Sequence, residues 1–364
     1  MVKNFRRTLA TISCAVVATT GLVACSSESA DTGGQNADST STSVADNTDT
    51  NSAETAEDSA ESTFPLTLET LDKDGQPTEI TIPEQPERVV SASVTLTGAL
   101  LAIDAPVVAS GGGNPNTPMF ADGTGFGLAW NDIAEERGVE PIFTIGSADA
   151  EAILEQEPDL VVMSNVGADS GAEIYDQLKD IVPVQVIDYS DQSWQETTQE
   201  VAKATGLEQE AEKVISDYED AVKKAKGNLD IAEPVNLVTF NKDNGMNFFT
   251  SESAQGQVFA DLGIELSTPA PDLVAQTQQG SNRGDINPVN AENLPLALDG
   301  ETVFALSFDT AKPADEQLKS NPALAEIPAV VNDNVVNLDA RFFRIDAFTA
   351  QALVEFLVEI SGAE

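Results

Sequence analysis

Histidine is missing from this chain altogether, and only two of its 364 residues are cysteine. The first absence removes the commonest general base and the commonest metal ligand. No Ser-His-Asp or Cys-His catalytic arrangement can be assembled without it. Basic residues are scarce as well. Lys and Arg number 18 against 61 Asp and Glu, for a formal net charge of −43. Phosphate backbones and anionic membrane surfaces are held by basic patches, so the composition argues against nucleic acid and against polybasic membrane binding. Dinucleotide chemistry has no anchor either. The run GTGFG at 123–127 lacks the third glycine and the strand–helix setting of that fingerprint. The sequence therefore reads as a binding protein rather than an enzyme, with no cofactor of its own.

What is present begins with a leader. Lys3, Arg6 and Arg7 precede a short apolar run of small residues, too short for a transmembrane helix. The run ends in Leu22-Val23-Ala24-Cys25, which looks like a bacterial lipoprotein cleavage motif. On that reading residues 1–24 are a signal peptide, Cys14 is lost with it, and Cys25 carries the lipid. The mature chain then has a single, modified cysteine, so no disulfide forms. Residues 25–63 are mostly Ser, Thr, Asp, Glu, Ala and Asn, with no Lys or Arg. Such a segment cannot bury enough apolar surface to offset its ordering entropy, and it is expected to be a disordered tether. The protein is thus expected outside the cytoplasm, anchored to the cell membrane, and monomeric.

From Phe64 the pattern becomes globular. FPLTLETLDKDGQPTEITIP alternates as a hairpin turning at Asp74-Gly75. Strands are expected at Val89–Ser91, Val107–Ala109 and Leu160–Met163, and in VPVQVIDYS, with helices between them from Thr95 and from Ala148. Strands alternating with short helices imply a largely parallel sheet. The spacing of Ala211, Val214, Ile215, Tyr218 and Val222 then predicts an amphipathic helix over 207–228, stopped by Gly227. After it the α/β pattern restarts, through PVNLVTFN, SAQGQVFADLG, ETVFALS, NDNVVNLD and a closing helix in DAFTAQALVEFLVEI. The fold class is α/β: two Rossmann-like lobes, 64–206 and 229–364, joined by one long helix. Ligands of open α/β sheets sit beyond the strands' carboxyl ends, so facing lobes would form a cleft.

PERVVSASVTLTGALLAIDAPVVASGG, AEAILEQEPDLVVMS and LPLALDGETVFAL, with a single helix between the halves, resemble substrate-binding proteins of ABC importers for iron-siderophores and cobalamin. TSESAQGQ, RGDI, ENL and FRID carry the likeness toward members that bind ferric enterobactin. The resemblance implies the class III two-lobe architecture, a ferric siderophore as cargo, an ABC permease as partner, and docking through one glutamate per lobe. Those glutamates match Glu151 and Glu292. It also places Arg344, Arg283 and the aromatic Phe249 in the pocket. A ferric tris-catecholate is a trianion with flat faces, and arginine can both stack on it and offset its charge. The residues add further candidates. Arg341 is expected at the rim, Phe248 beside Phe249, Lys242 at a strand end, and Ser93 and Thr95 at a helix start, where free N–H groups favour anions or are simply capped. No Lys or Arg occurs between Arg88 and Arg137, so the cationic half of the site belongs to the second lobe. A haem- or cobalamin-binding carrier or sensor is the other reading.

Overall fold

The structure is a computed structural model that describes residues 63–241, 244–275, 284–309 and 312–362. It opens with an antiparallel hairpin, β1 (Leu66–Leu71) and β2 (Pro77–Ile82). Gly75 at the turn has φ of 75°, a left-handed conformation that costs glycine little.

The first lobe follows as β3 (Val89–Ser91), α1 (Val94–Ala102), β4 (Val107–Gly112), α2 (Asn131–Glu136), β5 (Glu140–Thr144), α3 (Ala150–Leu154), β6 (Leu160–Ser164), α4 (Tyr175–Leu178), β7 (Val184–Ile187) and α5 (Trp194–Thr205). Its five strands are all parallel, in the order β5-β4-β3-β6-β7. Neighbouring strand residues serve opposite faces. Val89 and Val162 join one buried cluster, Val90 and Val161 the other. Both faces are covered, which is why these strands read as continuous apolar runs rather than alternating ones.

The linking helix is α6 (Glu208–Ala225). At 1.5 Å per residue its length is about 27 Å. Glu208 and Glu210 lie in its first turn, and Lys223 and Lys224 in its last, each complementing the helix dipole. Ala211, Tyr218, Val222 and Ala225 are buried along one face, which packs between α5 and the last helix of the chain.

The second lobe comprises β8 (Val235–Phe240), β9 (Met246–Phe249), α7 (Ala254–Asp261), β10 (Ile286–Val289), α8 (Leu294–Ala297), β11 (Thr302–Leu306), α9 (Ala314–Lys319), α10 (Pro328–Val331), β12 (Val335–Leu338) and α11 (Ala347–Ser361). Its strand order is β10-β9-β8-β11-β12. Here the expectation of a largely parallel sheet is only partly met. β8, β11 and β12 are parallel, whereas β9 is antiparallel to both β8 and β10. The reason is the connection. Only residues 241–245 separate β8 from β9, and a parallel crossover needs a dozen or more.

Candidate functional site

The site is built where chain leaves the strands and starts helices. After β3, Ser93 and Thr95 flank the N-terminus of α1. After β12, a short 3₁₀ turn over Ala340–Phe343 delivers Arg344, and Asp346 caps α11. These two junctions meet across the lobes. Arg344 Nη1 of the second lobe donates a hydrogen bond to Thr95 Oγ1 of the first. Arg344 Nε is buried and has no hydrogen-bond partner among the described residues. A guanidinium so placed retains an N–H donor for an incoming acceptor.

Space opens on both sides of this contact. One hollow is small, about 30 Å³, and is lined from the first lobe by Thr95, Met119, Leu128 and Trp130 and from the second by Arg341, Arg344 and Asp346. The other is an open cleft of about 870 Å³. Thr95, Tyr189 and Trp194 line one wall, Gln255, Phe343 and Arg344 the other. Its size falls in the range of small-molecule sites.

The first-lobe wall holds a buried acid that composition alone could not single out. Asp169, in the loop after β6, is 5% exposed. Ser93 Oγ donates to its Oδ2 at 2.5 Å, Thr95 N–H to the same oxygen at 3.0 Å, and Tyr189 OH to its Oδ1 at 2.6 Å. Burial by itself pushes the carboxyl up. The hydrogen bonds from Ser93 and Tyr189 and the charge of Arg344 outweigh that, and its pKa lies below the ordinary carboxylate value. The Tyr189 hydroxyl is pushed up to about 12, by burial first and by the Asp169 charge second.

Asp346 has the opposite balance. Burial raises its pKa, although Thr349 and Phe348 backbone N–H groups and the Trp130 indole N–H all favour the charged form. It also crosses the lobes. The carboxylate presses on Gly98 in the middle of α1, where a Cβ would overlap its oxygen and stand 3.0 Å from Trp130 Nε1. Glycine at 98 is a requirement of that approach.

The candidates from sequence fall into three groups. Arg344, Thr95 and Ser93 come together, though Ser93 is fully buried and spends its hydroxyl on Asp169. Arg341 lines the small hollow with its side chain 41% exposed, and its Nε stands 3.1 Å from Asp339 Oδ1. Phe248 and Phe249 need correcting. They alternate along β9, so Phe248 packs into one core cluster and Phe249 into the other, and neither is open to the cleft. Among the described residues Phe343 and Tyr189 offer aromatic surface to it, while Trp194 borders it but is 6% exposed and packs in the core. Phe343 is fixed edge-on against Phe308, with ring centroids 4.9 Å apart. Arg283, Lys242 and Cys25 lie outside the described residues. Glu151 and Glu292 are exposed and make no side-chain bond among the described residues. Glu151 begins the helix after edge strand β5, and Glu292 follows edge strand β10, so the two occupy equivalent places in the two lobes.

Two α/β lobes carried on one helix, with polar strand ends facing across a cleft, define a class III substrate-binding protein. The periplasmic binding protein family model matches residues 126–342. The ferric enterobactin-binding periplasmic protein FepB of Escherichia coli is 40% identical over 279 residues, 76% of this chain and 86% of its own. The crystal structure of holo-ViuP superposes with a TM-score of 0.68 at 31% identity, covering 82% of this chain and 96% of ViuP. Staphylococcus aureus SirA complexed with staphyloferrin B gives 0.60 at 20% identity, over 82% and 99%, a likeness of fold alone. The chain belongs to the periplasmic binding protein family, whose members bind and hand over cargo and are not enzymes.

Proposed function

We infer that this protein is an extracytoplasmic receptor that takes an anionic ferric siderophore, of catecholate type, into the interlobe cleft and delivers it to an ABC permease. Lipid on Cys25 anchors it to the membrane, and the acidic residues after it act as a spacer. The observation that carries the reading is Arg344. In a chain with net charge −43, one of the few cations is brought to the meeting point of both lobes, with a buried N–H donor unused. A unit charge pair at 4 Å is worth about 4 kcal/mol at an effective dielectric of 20, before desolvation, so one such contact weighs heavily in binding. Phe343 and Tyr189 supply flat surface for aromatic chelating groups. The 40% identity to a protein named for binding ferric enterobactin supports the same cargo class.

Titration of the ligand-free protein tests it directly. Both tryptophans of the chain, Trp130 and Trp194, line the two hollows, so bound iron chelate is expected to quench intrinsic fluorescence. Ferric enterobactin should quench at submicromolar concentration. Quenching by haem or cobalamin alone would overturn the siderophore reading. Permease delivery has its own test. Glu151→Ala with Glu292→Ala leaves that quenching unchanged and stops uptake of the iron complex in cells. Unchanged uptake would detach these two acids from docking.

A further inference from the structure

Asp169, 5% exposed, is an odd residue to stand directly behind the wall of a cleft meant for an anion, hydrogen-bonded to Thr95, which lines that cleft. An acid there opposes the cargo, and capping α1 does not require one, since Ser, Thr or Asn would serve the Thr95 N–H equally well. The geometry nevertheless fixes both of its oxygens. Ser93 and Thr95 hold Oδ2 and Tyr189 holds Oδ1, so the carboxylate cannot swing away. Thr95 then joins it to the cation: its N–H goes to Asp169, and its hydroxyl receives Arg344. The two opposite charges thus stand on either side of a single residue, one per lobe. Asp169 also lines a small hollow of its own with Ala92, Gly112, Phe143 and Ser170, at the carboxyl ends of β3 and β4.

We propose, resting on the receptor reading above, that Asp169 is the specificity-determining residue of the first-lobe wall: its immobilised carboxylate offsets Arg344 and sets how anionic a cargo the cleft prefers. A cargo must draw the guanidinium away from this wall while it faces the repulsion of Asp169. The net preference for negative charge is therefore smaller than Arg344 alone would give. The hydroxyls of Ser93 and Tyr189 serve this role by holding the charge in place.

The test uses one chelator and two metals, so that shape stays constant while charge changes. Enterobactin carries six negative charges as a tris-catecholate, so its Fe(III) complex is a trianion and its Ti(IV) complex a dianion. Both are titrated into the wild-type protein and into Asp169→Asn, which keeps an oxygen for the Thr95 N–H. The expected result is roughly tenfold tighter binding of the Fe(III) complex by Asp169→Asn, with a clearly smaller gain for the Ti(IV) complex, because the repulsion removed scales with cargo charge. A double variant, Ser93→Ala with Tyr189→Phe, keeps the charge but strips two of its three anchoring bonds. It moves the Fe(III)/Ti(IV) ratio in the same direction by less, and it serves if Asp169→Asn does not fold. An unchanged ratio in whichever variants fold, with wild type binding both complexes, overturns the proposal alone. If wild type binds neither complex, the receptor reading falls and takes this proposal with it.

Discussion

The two lobes share a strand order and differ in nearly everything that touches the cleft. The first lobe has an all-parallel sheet and presents hydroxyls and the ring of Tyr189, with the carboxylate of Asp169 buried behind them. The second has a mixed sheet and presents Arg341, Arg344 and Phe343 from one short turn after β12. Acids line both walls, Asp191 and Glu196 on the first and Glu252, Asp285 and Asp346 on the second, whereas the cation Arg344 comes from the second. The contact between lobes is electrostatic where cargo enters and steric where it does not.

The largest effect expected from breaking this asymmetry is at Arg344. Truncating one side of a partly buried, hydrogen-bonded charge contact costs about 2–5 kcal/mol in binding, so Arg344→Met should weaken ferric enterobactin binding by at least about 30-fold. Arg341→Met should weaken it by less than about tenfold, because that side chain is 41% exposed and already paired with Asp339. Fluorescence titration of both variants ranks them. Equal losses would mean that the second lobe offers a diffuse positive field rather than one directed group.

A smaller effect tests the steric side. Replacing Gly by Ala inside an exposed helix adds about 1 kcal/mol of stability. At Gly98 the sign reverses, since the new methyl would meet the Asp346 carboxylate and the Trp130 indole. Overpacking of this kind costs about 1–3 kcal/mol. Gly98→Ala is expected to lower the melting temperature and, if the lobes yield instead of the core, to enlarge the radius measured by small-angle scattering. A variant as stable as wild type with an unchanged radius would show that the lobes are not in firm contact there.

How much of this was legible beforehand divides along the same line as the physics. The parallel strands of the first lobe and the bridge helix could be read because burial on both faces and a 3.6-residue period leave strong marks, as at Val89–Ser91 and at Ala211, Tyr218 and Val222. β9 and β10 left weak ones. Short strands interrupted by Asn247 and Pro288 carry no clear alternation, and with them went the orientation of Phe248 and Phe249. Arg344 could be found because FRID resembles the family's pocket segment and because arginines among so many acids are conspicuous. Asp169 could not, because one acid among 61 has no compositional signal. Only the convergence of Ser93, Thr95 and Tyr189 on it, from the ends of β3 and β7, singles it out. Asp346 was visible only as a neighbour of Arg344, since its partners Gly98 and Trp130 lie more than two hundred residues earlier.

The smallest expected effect concerns that same Asp346, and its sign follows from its direction of shift. Burial lifts its pKa in the folded chain above the ordinary carboxylate value of about 4. As pH rises, the unfolded chain gives up this proton first, so the folded state holds more protons over the interval between the two values. Stability due to this group is therefore full below about pH 4 and is lost as pH climbs through the folded-state value. Asp346→Asn keeps an oxygen to accept from the Thr349 N–H, now 2.9 Å away, and carries no charge to desolvate. The variant should melt higher than wild type at pH 7, by less than about 4 °C, and the gap should close as pH falls toward 4. Melting curves across that range decide it. A variant that melts lower at pH 7 would mean that the charged carboxylate, gripped by Trp130 of one lobe and the α11 terminus of the other, stabilises the closed arrangement by more than its burial costs.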